Sequence, residues 1–278
     1  MITVSSLKAG SSTNASPTAP AGGAMRPLPP VLALGLSPQD MQRVNAARPA
    51  FRTLKAGESL YFQGDDCRNI YLLLEGWAFR HQGLEDGRRQ ILDFALPGAA
   101  FGLPGTGFMT HSLEALTPCT FSVFERESFY ELLQQVPLLA LRFVELLADA
   151  QTRAFEHLTN VGRRTARERV ANLLMELVMR SQQGTSGGQR PCMSLPLMQP
   201  HIADALGLAS ETVCRALSAM RKDGIVVLQA QKLAVLDIER LAVEAGTDVP
   251  SQPMSRAWAA ATIPALRSRT PMPETLVA

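Results

Sequence analysis

Residues 199–218 read QPHIADALGLASETVCRALS, and this stretch decides the fold of the C-terminal third of the chain. Two helices that cross at a steep angle need a small residue at the crossing, a turn residue of positive φ and an apolar wedge. Ala203, Gly207 and Val213 supply these at the required spacing, and Pro200 falls in the first helical turn, where its missing N–H costs little. The pattern predicts a helix-turn-helix over residues 198–222.

A β-hairpin is predicted directly after the second helix. The helix stop Lys222-Asp223-Gly224 precedes two apolar runs, 225–228 and 233–236, which flank residues 229–232 (QAQK). A hairpin in this position is a wing, so the unit is a winged helix-turn-helix. Asp237 is expected to cap a short closing helix.

A long helix is predicted upstream, over residues 137–161. Apolar and small residues recur there at alternating spacings of four and three, which is typical of a coiled-coil seam that pairs with a second copy. An amphipathic helix packed on its own domain is the alternative. A capping box, Thr165 with Glu168, opens the next helix. The predicted seam consists of Val144, Leu147, Gln151, Ala154, Leu158 and Val161.

Short apolar runs broken by glycines fill residues 51–125, with a hairpin signal at Glu85-Asp86-Gly87-Arg88. This pattern indicates an N-terminal antiparallel β-roll of the cupin-like jelly-roll type, and the fold class is α+β. The ends of the chain are rich in Ser, Pro, Gly and Ala, which predicts disordered tails. The expected division is a tail (1–30), a sensor roll (31–136), a dimerisation helix (137–162), a winged helix-turn-helix domain (163–245) and a second tail (246–278).

Charge is concentrated where DNA would lie. The whole chain has a net charge of +2, but residues 163–232 hold ten basic and five acidic side chains, a local net charge of +5. A solvated helix surface would explain the arginines of 163–169 equally well. No apolar stretch is long enough to span a membrane and no secretory signal is evident, so a cytoplasmic protein without a membrane partner is expected.

The N-terminal turns of the second helix of the motif are the expected base-reading region. Arg215 can donate two hydrogen bonds to guanine, and Glu211 can accept one from cytosine. An intrahelical ion pair between Glu211 and Arg215 is the alternative. The predicted base-reading residues are Ser210, Glu211, Cys214 and Arg215.

These features together resemble the Crp/Fnr family of transcription regulators, in particular its FixK-like and Fnr-like branches. The resemblance rests on residues 70–76 (IYLLLEG), 84–90 (LEDGRRQ), 195–197 (LPL), 202–208 (IADALGL) and 211–215 (ETVCR). It implies a homodimer, a sensing N-terminal domain, a palindromic DNA operator and activation through contact with RNA polymerase. Members with Glu-x-x-Ser-Arg in this helix read TTGAT-like half-sites. Here Cys214 stands where serine is usual, and Ala209 replaces the usual capping Ser or Thr.

The resemblance also places Gln199 and Ser218 near DNA phosphates, and we expect Thr212 and the wing residue Lys232 to join them. The cyclic-nucleotide branch carries a Gly-Glu cassette followed by an arginine. This chain has no glutamate in that position, 98–105, and no Lys or Arg between Arg89 and Arg126. The Fnr branch uses N-terminal cysteines for an iron–sulfur cluster, and residues 1–66 contain no cysteine.

No cofactor or metal is therefore expected, with haem left open. The haem ligands that the sequence offers are His81, His111, Cys67 and Cys119, although each alone is more often structural. The four cysteines contain no CxxC pair that would indicate a zinc site. Cys214 is a candidate redox switch, because oxidation there would add bulk and negative charge against DNA. A quiet packing role, or a contact with a thymine methyl group, is the alternative.

The predicted function is a homodimeric, sequence-specific transcription activator at TTGAT-N4-ATCAA-like palindromes. It would respond to oxygen, redox or nitrogen-oxide state, or would lack a direct effector. The alternative is a cyclic-nucleotide-responsive or haem-based regulator of the same architecture. An enzyme is not expected, because the chain has no GxGxxG, P-loop or HExxH motif.

Overall fold

The computed structural model of the protein describes residues 27–47, 49–103, 107–181 and 192–247. Most of both predicted tails, 1–26 and 248–278, lies outside the described residues. Helices are α1 (Pro30–Ala33), α2 (Pro38–Ala46), α3 (Arg126–Gln135), α4 (Pro137–Arg163), α5 (Ala166–Ser181), α6 (Gln199–Leu206), α7 (Ser210–Lys222) and α8 (Ile238–Ala245). Strands are β1 (Ala50–Leu54), β2 (Ser59–Tyr61), β3 (Asn69–Glu75), β4 (Ala78–Gly83), β5 (Arg89–Ala95), β6 (Ala100–Phe101), β7 (Ser112–Ala115), β8 (Cys119–Glu125), β9 (Cys192–Ser194), β10 (Val226–Gln229) and β11 (Lys232–Val235).

Strands β1–β8 form the predicted antiparallel roll from two four-stranded sheets. The strand orders are β1-β8-β3-β6 and β2-β7-β4-β5. Leu73 and Phe121 from the first sheet and Ala78 and Leu113 from the second are fully buried in one shared cluster, because alternate residues of each strand point inward. The predicted hairpin turn joins β4 to β5, and Gly87 takes the positive φ (+83°) that this turn requires.

The predicted N-terminal tail, residues 1–30, is wrong at its C-terminal end, because Leu28 lies in a core cluster. Its side chain is buried beside Leu32, and α1 begins at Pro30. The two leucines join Phe129, Leu139 and Phe143 in a cluster that fastens α1, α3 and the start of α4 to the roll. A single apolar residue among prolines carries no periodicity, so sequence patterns could not identify this contact.

Helix α4 is the predicted long helix and has two different faces. Leu139 and Phe143 pack on the roll, whereas Val144, Leu147, Gln151, Ala154 and Leu158 are exposed and Val161 is half-buried. Phe155, which the predicted seam omits, is also exposed. One face of the helix therefore serves its own domain, and the predicted seam remains uncovered in the single chain. Pairing with a second copy stays a prediction.

The C-terminal domain is built on α5, which α6, α7 and α8 surround. Thr165 and Glu168 form the predicted capping box, with the Thr165 N–H donating to the Glu168 carboxylate at 2.7 Å. Asp237 caps α8 by accepting from the Arg240 N–H at 3.0 Å. The predicted hairpin is present as β10–β11, and β9 adds a third strand on the β11 side. In the described part of the chain, no helix combines the length and hydropathy that a bilayer crossing requires.

Candidate nucleic-acid interface

Helices α6 and α7 form the predicted helix-turn-helix. Gly207 ends α6 in the left-handed conformation (φ +62°), and a Cβ there would meet open space. Glycine is therefore required at this turn for its conformation rather than for lack of room. Ala203 and Val213 are buried at the joint, as the spacing predicted. One face of α7 packs on the domain, and the opposite face of its first two turns is exposed.

The N-terminus of α7 lacks a side-chain cap. Ala209 occupies the cap position, where it can offer only its carbonyl, which accepts from the N–H groups of Thr212 and Val213 at 2.9 and 3.2 Å. The first amides of a helix have no partners within the helix, so an uncapped start leaves donors for an external acceptor. Together with the positive end of the helix dipole, these donors favour a phosphate oxygen.

All four predicted base-reading residues, Ser210, Glu211, Cys214 and Arg215, are exposed on the first two turns of α7. Within the described chain, Glu211 and Arg215 make no ion pair with each other or with any other residue. The intrahelical pair that the spacing allows is therefore not formed in the free protein. Both charged groups are available to a ligand on this face.

The predicted phosphate-binding residues lie around this helix. Gln199 begins α6 and is exposed, while Thr212 and Ser218 are half-buried along α7. Lys232 is exposed at the start of β11, opposite Gln229 across the wing turn. Ala230 and Gln231 form that turn with φ values of +50° and +58°, a conformation that sequence patterns assign to Asn or Gly. The structure places these groups on the same domain.

Cysteine side chains are described at three positions, and only Cys214 is exposed. Cys67 is buried and accepts from the Arg126 guanidinium at 2.7 Å. Cys119 is buried and donates to the Trp77 carbonyl at 3.1 Å, and burial raises the pKa of its thiol to about 11. Exposure therefore distinguishes Cys214 from both buried thiols.

The histidines considered as haem ligands already have neighbours in the roll. The ring nitrogens of His111 lie 3.2 Å from the Tyr61 hydroxyl and 3.1 Å from the Thr110 hydroxyl. Burial, with a smaller contribution from the Arg80 guanidinium, lowers the pKa of His111 to about 4. His81 packs on the Phe79 ring, and burial also lowers its pKa. Among the described residues, no three His, Cys, Asp or Glu side chains converge as a metal site.

Arg80 on β4 is a feature of the roll that the sequence reading missed. Its guanidinium donates to the Ala100 carbonyl at 3.0 Å, lies over the Phe101 ring and lines a cavity of about 140 Å³ with Thr110 and His111. A positive charge therefore reaches the segment after Gly98, although none occurs nearby in sequence. Packing of the sheet that contains β4 against the sheet that contains β6 brings it there, so the sequence of residues 89–126 does not indicate it.

Comparison with known proteins agrees with this architecture. Residues 51–136 match the model of a cyclic nucleotide-binding domain, and residues 168–243 match that of a Crp-like helix-turn-helix domain. The chain is 34% identical over 202 residues to the transcriptional activator protein FnrL of Cereibacter sphaeroides, covering 71% of this chain and 81% of that protein.

Two further similar proteins carry the name FixK. The nitrogen fixation regulation protein FixK of Rhizobium meliloti is 33% identical over 190 residues, covering 68% of this chain and 84% of that protein. The solved structure of FixK2 from Bradyrhizobium japonicum superposes with a TM-score of 0.62 at 29% identity, covering 73% of this chain and 99% of that one.

Proposed function

The chain belongs to the Crp/Fnr family of DNA-binding transcription regulators, and from this premise we propose that it is a homodimeric activator of TTGAT-N4-ATCAA-like palindromes. One observation carries the operator assignment: Glu211 and Arg215 are exposed on the first two turns of α7 and form no ion pair with any described residue. The role of activator is that of relatives such as the transcriptional activator protein FnrL. Activation would require contact with RNA polymerase, and a regulator of chromosomal genes would act in the cytoplasm.

The chemistry of the exposed residues fits the proposed half-site. TTGAT contains one G·C pair, which presents the guanine O6 and N7 acceptors and the cytosine amino donor in the major groove. Arg215 would donate to the guanine, and Glu211 would accept from the cytosine. Ser210 and Cys214 would face the neighbouring bases. Gln199, Thr212, Ser218 and Lys232 would hold the phosphates, which fixes register without reading sequence.

Binding to labelled duplexes tests the proposal. Fluorescence anisotropy should show the TTGAT-N4-ATCAA duplex bound at least about a thousandfold more tightly than a scrambled duplex at physiological salt, the lower end for specific regulators. Both duplexes should be measured at several salt concentrations. Equal binding to both, with the same steep salt dependence, would show that only phosphates are read and would reject the operator assignment.

For the signal, we infer a response to redox state through Cys214, without a bound cofactor. Cys214 is the exposed thiol beside the predicted bases, whereas Cys67 and Cys119 are buried, His111 is half-buried, and all three contact other side chains or carbonyls. Those contacts argue against haem ligation by these residues. The alternative is a regulator with no direct effector, which is controlled by its abundance.

Peroxide treatment is expected to weaken operator binding by about tenfold or more, because a sulfinic or sulfonic group adds charge next to phosphates. The variant Cys214→Ser should bind the operator as reduced wild type does and should not respond to peroxide. Anisotropy before and after peroxide measures both. If the serine variant lost as much affinity on oxidation, another residue would be the target. If it failed to bind before oxidation, the thiol would be a base contact rather than a switch.

A cyclic-nucleotide response is the second candidate, and Arg80 is the observation that favours it. Its guanidinium lines the cavity after Gly98 and could meet a phosphate there. Against this, Arg80 already donates to the Ala100 carbonyl, and no glutamate lies in that segment. Adding cyclic AMP to the anisotropy experiment separates the two candidates, since only a nucleotide-responsive regulator would gain affinity for the operator.

A further inference from the structure

Apart from the chain connection, the winged domain is held to the roll by charged side chains as well as apolar ones. Arg180 on α5 donates to Asp93 on β5 at 3.2 Å and to the Phe94 carbonyl at 2.7 Å. On its own helix it also pairs with Glu176 at 2.9 Å. The Arg180 and Asp93 side chains are 13% and 19% exposed, so this ion pair is largely withdrawn from water.

A second ion pair joins the roll directly to the helix-turn-helix. Arg89 on β5 donates to Asp204 on α6 at 2.8 Å, and the neighbouring Gln90 side chain donates to the Ala205 carbonyl at 2.8 Å. The His201 ring of α6 packs on Phe79 of β4, with ring centroids 5.7 Å apart. Strands β4 and β5 therefore contact both α5 and the helix that precedes the recognition helix.

These ion pairs favour one discrete arrangement of the two domains. Burial alone would raise the pKa of Asp93, but the guanidinium groups of Arg180, Arg80 and Arg153 outweigh it and hold the pKa below its ordinary value. Asp93 is thus charged, and a buried charge is costly without its partner. A rotated domain would separate Asp93 from Arg180, whereas the apolar contact between Phe94 and the winged domain is less directional.

The covalent link between the domains is short and is not helical. Helix α4 ends at Arg163 and α5 begins at Ala166, and the backbone of Arg164 is extended (φ −84°, ψ 151°). Such a link limits the distance between the two domains more than their relative orientation. The orientation of α7 relative to α4 therefore depends on the contacts across the interface, and the four base-reading residues remain exposed in this arrangement.

We propose that the two interdomain ion pairs, Arg180–Asp93 and Arg89–Asp204, are positioning contacts that set which half-site spacing the protein accepts. The inference rests on the proposed function, in which two copies pair through α4 and each reads one half of a palindrome. One added base pair rotates a half-site by roughly 35°, because B-DNA has about 10–10.5 base pairs per turn. A winged domain held in one orientation binds the rotated half-site more weakly. A domain that is free to rotate binds both spacings with similar affinity.

The test compares palindromes of TTGAT half-sites separated by three, four and five base pairs. Wild type is expected to prefer its best spacer by about tenfold or more, since half-site spacing is a geometric property of the dimer. In Arg180→Gln and Arg89→Gln the preference should fall to about threefold or less. Selectivity for TTGAT over scrambled half-sites should remain, because α7 is unchanged. A merely destabilised domain would instead lose affinity for every duplex alike.

Arg88→Gln is the matched control. Arg88 also pairs with a carboxylate, Asp86, at 2.7 Å, but within the roll and fully at the surface. It should keep the spacer preference of wild type. Thermal unfolding checks that each variant folds. If Arg180→Gln does not fold, Arg89→Gln carries the test, since the side chains of its pair are each 31% exposed and tolerate the loss better.

Two results would overturn the inference in different ways. Unchanged spacer preference in folded Arg180→Gln and Arg89→Gln would reject the positioning role while leaving the operator assignment intact. Wild type that fails to distinguish TTGAT from scrambled duplexes would reject the proposed operator and this inference with it.

Discussion

Replacing Arg215 with alanine is expected to lower affinity for the TTGAT palindrome by at least about 30-fold. Each good bidentate contact to a base contributes about 1–3 kcal/mol of discrimination, and a dimer would lose two. Arg215 is exposed and without an ion-pair partner in the described chain, so its removal leaves no buried charge and should not disturb folding. Anisotropy on the palindrome and on a scrambled duplex measures the effect. Affinity for the scrambled duplex should change by only about threefold, the effect of one lost phosphate attraction per subunit.

The matched control is Arg221→Ala, which removes the same charge from the last turn of the same helix. Because recognition helices meet bases through their N-terminal residues, this variant should retain sequence selectivity. If Arg215→Ala weakened both duplexes equally, Arg215 would bind phosphate, and the TTGAT assignment would lose its main reader.

The parts of the fold that follow from local periodicity could be predicted from the sequence. Gly207 and Val213 lie four and ten residues beyond Ala203, and this spacing was sufficient to place the turn of the motif. The hairpin at Gly87 and the length of α4 were also correct. By contrast, β9 is only three residues long and pairs with β11, forty residues along the chain. A strand so short has no recognisable period.

In the candidate site, too, some features follow from local sequence patterns and others do not. Exposure of Glu211 and Arg215 follows from the polar face of an amphipathic helix, but the i, i+4 spacing allows either an ion pair or two separate groups. Only the side-chain positions decide between them. The interdomain pair Arg180–Asp93 joins residues 87 apart, and Arg80 reaches the cavity after Gly98 because the two sheets of the roll pack against each other. Such contacts depend on tertiary arrangement, for which no local pattern exists.

Replacing Leu158 with glutamate is expected to convert a dimer into a monomer. In the single chain, Leu158 is 67% exposed and Phe155 61% exposed on the face of α4 that turns away from the roll. Large apolar residues grouped on one face indicate a surface that another protein covers. Burying each leucine contributes about 1.5–3 kcal/mol, and the substitution removes two per dimer and adds two like charges to an apolar seam. The dissociation constant should therefore rise at least about 100-fold.

Sedimentation velocity at micromolar concentration measures this change, and Glu156→Gln is the control. Glu156 is exposed on the same helix two residues away, off the seam, where its one ion pair, to Arg164, is long at 4.0 Å. The fold of the Leu158→Glu monomer should be preserved, since Leu139 and Phe143 bind α4 to the roll from the other face. Affinity for the full palindrome should then approach that for a single half-site, because each winged domain would bind alone. A Leu158→Glu protein that stayed dimeric would assign self-association to another surface and would remove α4 as the basis of palindrome recognition.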